Sequence, residues 1–284
     1  MIENFLSGIN CIIDNKISKP NVIPPAPVSP YITFVDPVVK QICVENWGSD
    51  GEITYEQAAT VTDLGNSFDY WGSNAPAGPI TSFNELQYFT GLLAINMSSD
   101  GNGAFSDANQ LAEITLPPNL TTIDSYCFDN CSSLTNIIIP PTVIELGSYA
   151  FSSCSSLTGL ILPDAITIIN DGLFYGCSAL TDIIIPGAVT MIGYSAFNRC
   201  SNISTLNIPS SVTSIGDRAF ANMTMLSTIT FHSITPIELN YYLFSENMEM
   251  PPSLTSIFVP SESVDAYKAA PIWSEYANII SAIV

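Results

Sequence analysis

The residues able to carry chemistry are few, and their spacing argues against an enzyme. His232 is the only histidine, so a serine or cysteine nucleophile that relies on imidazole would have to use it. No partner is written around it, and it reads as a loop residue. The acids Glu113, Asp124, Asp129, Asp164, Asp171, Asp182 and Asp217 are spread over different faces of the pattern set out below, so the sequence places no carboxylate pair for glycoside cleavage. It also lacks a glycine-rich phosphate loop. The seven cysteines lack the paired C-x2-C form of a zinc site, and one histidine cannot make up the ligands. The expectation is no catalytic residue, no cofactor and no metal.

Four of those cysteines belong to a register that organises most of the chain. Cys131, Cys154, Cys177 and Cys200 are each 23 residues apart, as are Pro117, Pro140, Pro163, Pro186 and Pro209, and Phe128, Phe151, Phe174, Phe197 and Phe220. Three columns in phase predict a solenoid, because a unit this short must bury its apolar edges against its neighbours. In the copy Leu157, Leu160, Leu162, Pro163, Ile166, Ile169, Phe174, Cys177, the stretch ending in proline predicts a short strand with alternating side chains. The aliphatics after the proline predict a second side, extended or loosely helical, that turns at Gly147, Gly193 or Gly216. The phenylalanines fill the interior, each worth ~1.5–3 kcal/mol on burial. The cysteine column predicts a buried thiol ladder: equivalent residues lie about 4.8 Å apart, but parallel, in-register side chains do not readily reach disulfide torsions. Cys11, Cys43 and Cys127 have no place in it.

Residues Cys177 to Phe197 give the unit Cys-x2-Leu-x2-Ile-x-Ile-Pro-x2-Val-x2-Ile-Gly-x2-Ala-Phe, which resembles the BspA-like class of leucine-rich repeat. The resemblance implies a right-handed α/β-type leucine-rich repeat solenoid with mainly β repeats. It also implies a surface protein of bacterial, protozoan or phage-borne kind that binds partners without catalysis. The end of the chain resembles the C-terminal cap of such proteins.

Six basic residues against 26 acidic ones give a net charge of -20. The basic residues are scattered, so nucleic acid and anionic membrane surfaces are not expected partners. Acidity of this size keeps a very apolar repeat soluble, with mean hydropathy +0.32. No stretch approaches the ~20 apolar residues of a membrane helix, and Met1 to Asn10 does not read as a secretory signal. Taken as a natural start, that favours delivery without an export peptide, as for a phage virion component.

Four segments are expected: residues 1–30 as a helix (Ile2 to Asn15) and a proline-rich arm, 31–87 as a small helical N-terminal cap, 88–259 as the solenoid, and 260–284 as a C-terminal helical cap. The arm either anchors the protein to a larger assembly or folds back on it. Asp36-Pro37 predicts a helix start, and a second helix is expected near Thr54 to Ala59. Between them, Asn46 to Gln57 resembles an EF-hand or dockerin-type calcium loop in a degenerate form. It carries Gly48 at the third position and Gln57 where a bidentate Glu is needed. Phe68, Tyr70, Trp71, Phe83 and Leu86 are expected to cap the first coil. In the first repeat Leu93 keeps a strand position, Tyr88 replaces the leucine, Ala94 the proline and Asp100 a buried aliphatic, and 96–103 is an exposed loop. At the far end, His232 stands where proline is expected, Phe244 arrives one residue late, Leu254 to Pro260 is a last strand, and Ser261 opens a capped helix closed over by Trp273 and Tyr276.

The repeat phase also says which side chains face outward from the strand: Thr115, Ile138, Ile161, Ile184, Asn207, Thr230 and Phe258. Ile138, Ile161 and Ile184 predict a contiguous apolar strip, flanked by Asn136, Gly159, Asp182 and Thr205. Such strips mark protein contacts, although isoleucine also suits a pleated surface. The candidate binding residues are therefore Ile138, Ile161, Ile184, Asn136, Asp182, Thr205 and Asn207. The expected partner is a protein or glycan on a bacterial surface, with self-association open on the same strip. The leading reading is a phage virion or tail accessory protein. A secreted or cell-surface bacterial adhesin is the alternative, and a carbohydrate-active enzyme with dispersed acids is a further one.

Overall fold

Asp36 caps the first helix of the described residues. In this computed structural model, which describes residues 29–68, 79–97, 101–239, 242–244 and 253–283, its carboxylate accepts from the main-chain N–H of Val38 (2.8 Å) and Val39 (3.2 Å), capping helix α1, Pro37–Trp47. Its second oxygen accepts from the N–H and hydroxyl of Thr81, fixing α1 against the chain that enters the array. Thr54 and Gln57 form a capping box on helix α2, Tyr55–Thr60. The chain divides into two units, 1–30 and 31–284. The helix expected over Ile2–Asn15, nearly all of the proline-rich arm, Cys11, Tyr70, Trp71 and Asp100 lie outside the described residues.

From Ser82 the chain coils, and its strands pair in parallel. Strands β1 (Ser82–Phe83) and β3 (Glu113–Ile114) pair, as do β2 (Ala94–Ile95), β4 (Thr122–Ile123) and β5 (Glu145–Leu146). A second set on the same side is β6 (Ile168–Ile169), β7 (Met191–Ile192) and β9 (Ser214–Ile215). The far end is a four-stranded sheet in the order β12 (Ile280–Ala282), β11 (Ser256–Val259), β10 (Thr228–Phe231), β8 (Thr205–Ile208). Helix α3, Val264–Ala269, lies between β11 and β12. The result is a parallel-strand repeat solenoid.

The phenylalanine column is its core. Phe105, Phe128, Phe151, Phe174, Phe197, Phe220 and Phe244 are all buried, with successive ring centroids 5.4, 5.4, 6.0, 5.5, 6.1 and 6.2 Å apart. Phe68 packs on Phe83 and Phe105 at one end, and Tyr276 on Phe244 at the other. In the coils of Phe128 to Phe220 a left-handed residue stands two positions before the phenylalanine and another two positions after it, and Asp107 holds the second place beside Phe105. One set is Tyr126, Tyr149, Gly172, Ser195 and Arg218, and the other is Asp107, Asn130, Ser153, Gly176, Arg199 and Asn222. Such a φ is free only for glycine.

Several sequence expectations change. The first-side stretch, which ends in proline or in His232, forms ladder strands at β3, β8, β10 and β11, but around Ile138, Ile161 and Ile184 it keeps its alternation without ladder pairing. In those coils the pairing lies on the second side, which is extended rather than helical. Each proline removes one N–H from the first side; where His232 takes that place, its N–H donates to Ile208 O at 3.0 Å. The first coil is out of the expected phase. Its strand is Ser82–Phe83, not the stretch around Leu93, because Ser82 pairs with Glu113 31 residues on, the extra length being shared between the segment with the 3-10 turn Asn84–Tyr88 and the one between β2 and β3. Leu93 is exposed on the second side, where its carbonyl receives the N–H of Thr121 at 2.7 Å. The helix expected to be capped at Ser261 begins instead with a 3-10 turn, Ser261–Ser263, and α3 has no side-chain cap.

Candidate interaction surface

The outward column of the first side lies where the repeat phase puts it. Ile138, Ile161 and Ile184 are 48, 50 and 55 % exposed, while their neighbours Ile137, Ile139, Leu160, Leu162, Ile183 and Ile185 are buried. The rungs are consecutive: the phenylalanines behind them stack, and Thr158 N–H donates to Thr135 O and Thr181 N–H to Thr158 O. Asn136, Asp182, Thr205 and Asn207 are exposed beside the strip, and Gly159 is half-buried. Beyond Ile184 the column continues in paired strands, Asn207 against Thr230 and Thr230 against Phe258. All the candidate binding residues thus share one face, apolar in the middle and polar around it.

Behind that face, the thiols are locked into the backbone. Cys131, Cys154, Cys177 and Cys200 are buried and unbridged, and each Sγ donates to the carbonyl of a phenylalanine one coil earlier: Phe105 (3.2 Å), Phe128 (3.1 Å), Phe151 (3.0 Å) and Phe174 (3.0 Å). Burial pushes these thiols up, Cys177 to about 12, so they are not nucleophiles. Cys127, unassigned from sequence, makes the same kind of bond to Ile95 O at 3.0 Å.

Among the described residues, the other candidates for chemistry do not form a metal-binding group. His232 is exposed at the end of β10. One acidic neighbourhood escaped the sequence: burial raises the Asp129 carboxyl and the charge of Asp107 raises it further, with Asn130 Nδ2 on Asp107 Oδ1 at 2.6 Å. Asp107 and Asp129 lie 22 residues apart, in adjacent coils, where the Asp107 N–H donates to Asp129 O at 2.8 Å. In the loop of Asn46 to Gln57, the helix-loop-helix outline is present but its polar groups serve other partners. Asn46 Nδ2 donates to Ile42 O, Glu52 pairs with Lys40 at 2.7 Å, and Gln57 caps α2. The outline does not support a calcium loop.

Parallel strands in a stacked coil, with a phenylalanine and thiol interior and an alternating leucine and isoleucine edge, define a leucine-rich repeat protein. The chain belongs to the BspA type of that family: the BspA type leucine rich repeat region matches residues 83–203 and 167–263, in 6 copies. None of the curated proteins compared with it matches. Among solved structures it is similar to a leucine-rich repeat protein from Bacteroides ovatus, at 28 % identity over 50 % of this chain and 43 % of that one, TM-score 0.38. It is also similar to the T. pallidum leucine rich repeat protein, at 20 % identity over 66 % and 94 % of the two chains, TM-score 0.47. A leucine rich cell surface protein from Faecalibacterium prausnitzii matches at 19 % identity over 70 % and 65 %, TM-score 0.34. The chain therefore spans less than half the length of the Bacteroides ovatus protein.

Proposed function

We propose that this chain is a non-enzymatic interaction protein that presents the Ile138, Ile161 and Ile184 strip to a partner on a bacterial surface. The observation that carries this is the exposure of three isoleucines on successive rungs of a repeat whose neighbouring aliphatics are buried. An apolar centre with a polar rim of Asn136, Asp182, Thr205 and Asn207 has the make-up of a protein contact. In this reading the array is right-handed, and the helices at its ends cover them. The packing of Trp47, at the end of α1, on Phe89 and of Trp273 on Phe231 supports that cover.

Within this reading, a phage virion or tail accessory protein attached through residues 1–30 is the first placement. A secreted or cell-surface adhesin is the second, and membership of the BspA-type family favours it. Among the described residues no helix is long and apolar enough to cross a membrane. The test is retention on intact bacterial cells, with Ile161→Asp as the comparison. Wild-type protein should be retained and the variant lost at unchanged fold; equal retention of both removes the strip from the interface. Turnover in a glycan-hydrolysis screen would overturn the non-enzymatic reading.

A further inference from the structure

The second side of the coil carries an apolar surface of its own. Ile144, Ile168 and Met191, in three successive coils, are 60, 37 and 37 % exposed, while the aliphatics that alternate with them, Leu146, Ile169 and Ile192, are buried. Ile168 and Met191 are direct partners in the β6–β7 ladder, and the Ile144 N–H donates to Thr121 O one coil earlier at 2.9 Å. The fold does not ask for them. At the same two places the coil on one flank has Thr121 and Thr122, and the coil on the other has Thr213 and Ser214. Strand propensity accounts for an exposed isoleucine but not for an exposed methionine, and methionine is over-used at surfaces that repack around a partner.

The rim of this surface is acidic. Glu145 is exposed next to Ile144, and the coil of Ile168 enters the second side past Asp164 and leaves it past Asp171, both exposed. Between Lys40 and Lys268 the only basic residues are Arg199 and Arg218. Both lie against tyrosine rings, 5.4 Å from the centre of Tyr175 and 5.9 Å from that of Tyr194. Among the described residues the one ion pair is Lys40 with Glu52, so Glu145, Asp164 and Asp171 have no ion-pair partner there.

We propose that this face docks a cationic amphipathic segment of another protein, with apolar side chains on Ile144, Ile168 and Met191 and lysine or arginine against Glu145, Asp164 and Asp171. Charge selects the occupant. A second copy of a chain with net charge -20 is repelled, as are anionic polymers, whereas a basic segment gains attraction from each acid at the rim. The apolar centre then favours an amphipathic segment over one that is merely cationic, because burial of exposed apolar surface adds to the attraction. This surface lies on the second side of the coil and the Ile138, Ile161 and Ile184 strip on the first, so either can fail without the other.

Calorimetric titration of the full chain at low salt with an amphipathic leucine–lysine peptide tests it. The controls are a serine–lysine peptide of equal charge and a leucine–glutamate peptide of the same pattern. The leucine–lysine peptide should bind, weaken as salt is raised, and exceed the serine–lysine peptide by about tenfold or more; the leucine–glutamate peptide should not bind. Ile168→Ser/Met191→Ser should lower the affinity by about tenfold at unchanged melting temperature, since Thr122 and Ser214 hold the same place in other coils. Glu145→Gln/Asp171→Asn should lower it by about threefold or more at low salt. That pair keeps the test valid if the first variant fails to fold, because an asparagine oxygen can still accept the Tyr194 N–H that Asp171 accepts at 2.7 Å. Glu113→Gln/Asp182→Asn, on the first side, should bind as wild type. No binding of the leucine–lysine peptide at millimolar concentration overturns the proposal, as does equal binding of the serine–lysine peptide or wild-type affinity in either folded second-side variant. An equal loss in the first-side variant would give the attraction to net charge alone and overturn it too.

Discussion

The side-chain amide of Asn170 donates to the carbonyl oxygen of Leu146 at 2.7 Å, in the place where neighbouring coils use the main chain. Gly147, Gly193 and Gly216 each donate their own N–H one coil back, to Ile123, Ile169 and Ile192, all at 2.7 Å. A Cβ on Gly193 would come within 2.8 Å of the Asn170 carbonyl carbon, and one on Gly216 within 2.7 Å of that of Gly193. A residue with a Cβ at position 170 must therefore stand off, and the second-side sheet divides there into β2-β4-β5 and β6-β7-β9. Asp124 keeps the corresponding bond, to Ile95, only against the irregular first coil.

Replacing that asparagine should rejoin the sheet. In Asn170→Gly the amide at position 170 should gain a main-chain partner, and its hydrogen exchange should slow markedly. In Asn170→Ala the Leu146 carbonyl loses its donor while the Cβ remains, for a cost of about 0.5–1.5 kcal/mol. Unchanged exchange in the glycine variant would show that something other than the Cβ holds the coils apart.

The inside and outside of the coil were legible because proline and phenylalanine keep one step over five coils and cysteine over four, which ties each position to a face. The division at Asn170 was not, since it depends on how closely two backbones approach. The first coil was misread because its strands lie 31 and 28 residues from their partners instead of 23, with extra residues both around the 3-10 turn Asn84–Tyr88 and between β2 and β3. Strand β12 carries no repeat signature and shows itself only by the pairing of Ile280 with Ile257. Tyr126 and Tyr149 went unread in the sequence, because the left-handed backbone they share with Gly172 shows itself only in the structure.

The thiol ladder should be silent until the protein unfolds. Iodoacetamide on the native chain, read peptide by peptide, should leave Cys43, Cys127, Cys131, Cys154, Cys177 and Cys200 unmodified, and all should react in guanidinium. The Phe151 carbonyl accepts both the Cys177 thiol at 3.0 Å and the Cys154 N–H at 3.4 Å, so Cys177→Ala leaves it one donor. The hydrogen-bond part of the loss is then about 0.5–1.5 kcal/mol, with a small cavity cost added. Rapid native labelling of the column would contradict the burial of these thiols.

Adjacent substitutions on one strand separate surface from core. Leu160 is 7 % exposed and Ile161 is 50 % exposed. Leu160→Ala should cost about 2–5 kcal/mol in denaturant unfolding. Ile161→Asp should stay within about 1 kcal/mol of wild type while removing self-association or partner retention. Comparable losses in the two would mean that the outward column is structural.

Two aspartates should move stability with pH in opposite directions. Burial pushes the Asp36 carboxyl up, but the bonds from Thr81, Val39 and Val38 outweigh it and the net value lies below 3.8. Its contribution is therefore full above the unfolded value and lost as pH falls through the folded one. Asp129 is raised above 3.8 by burial and by Asp107, against a hydrogen bond from Ser152. Its favourable contribution is full below the unfolded value and lost as pH rises through the folded one, so the ionised group is a cost at neutral pH. In thermal melts from about pH 7 to about pH 3, Asp129→Asn should raise the melting temperature at the neutral end, with the gain vanishing in acid. Asp36→Ala removes a helix cap and should cost about 0.5–2 kcal/mol at neutral pH, with a gap that narrows as acid protonates the wild-type carboxyl. A gain from Asp129→Asn that persists at the acid end would show that packing, not charge, sets the cost of that carboxylate.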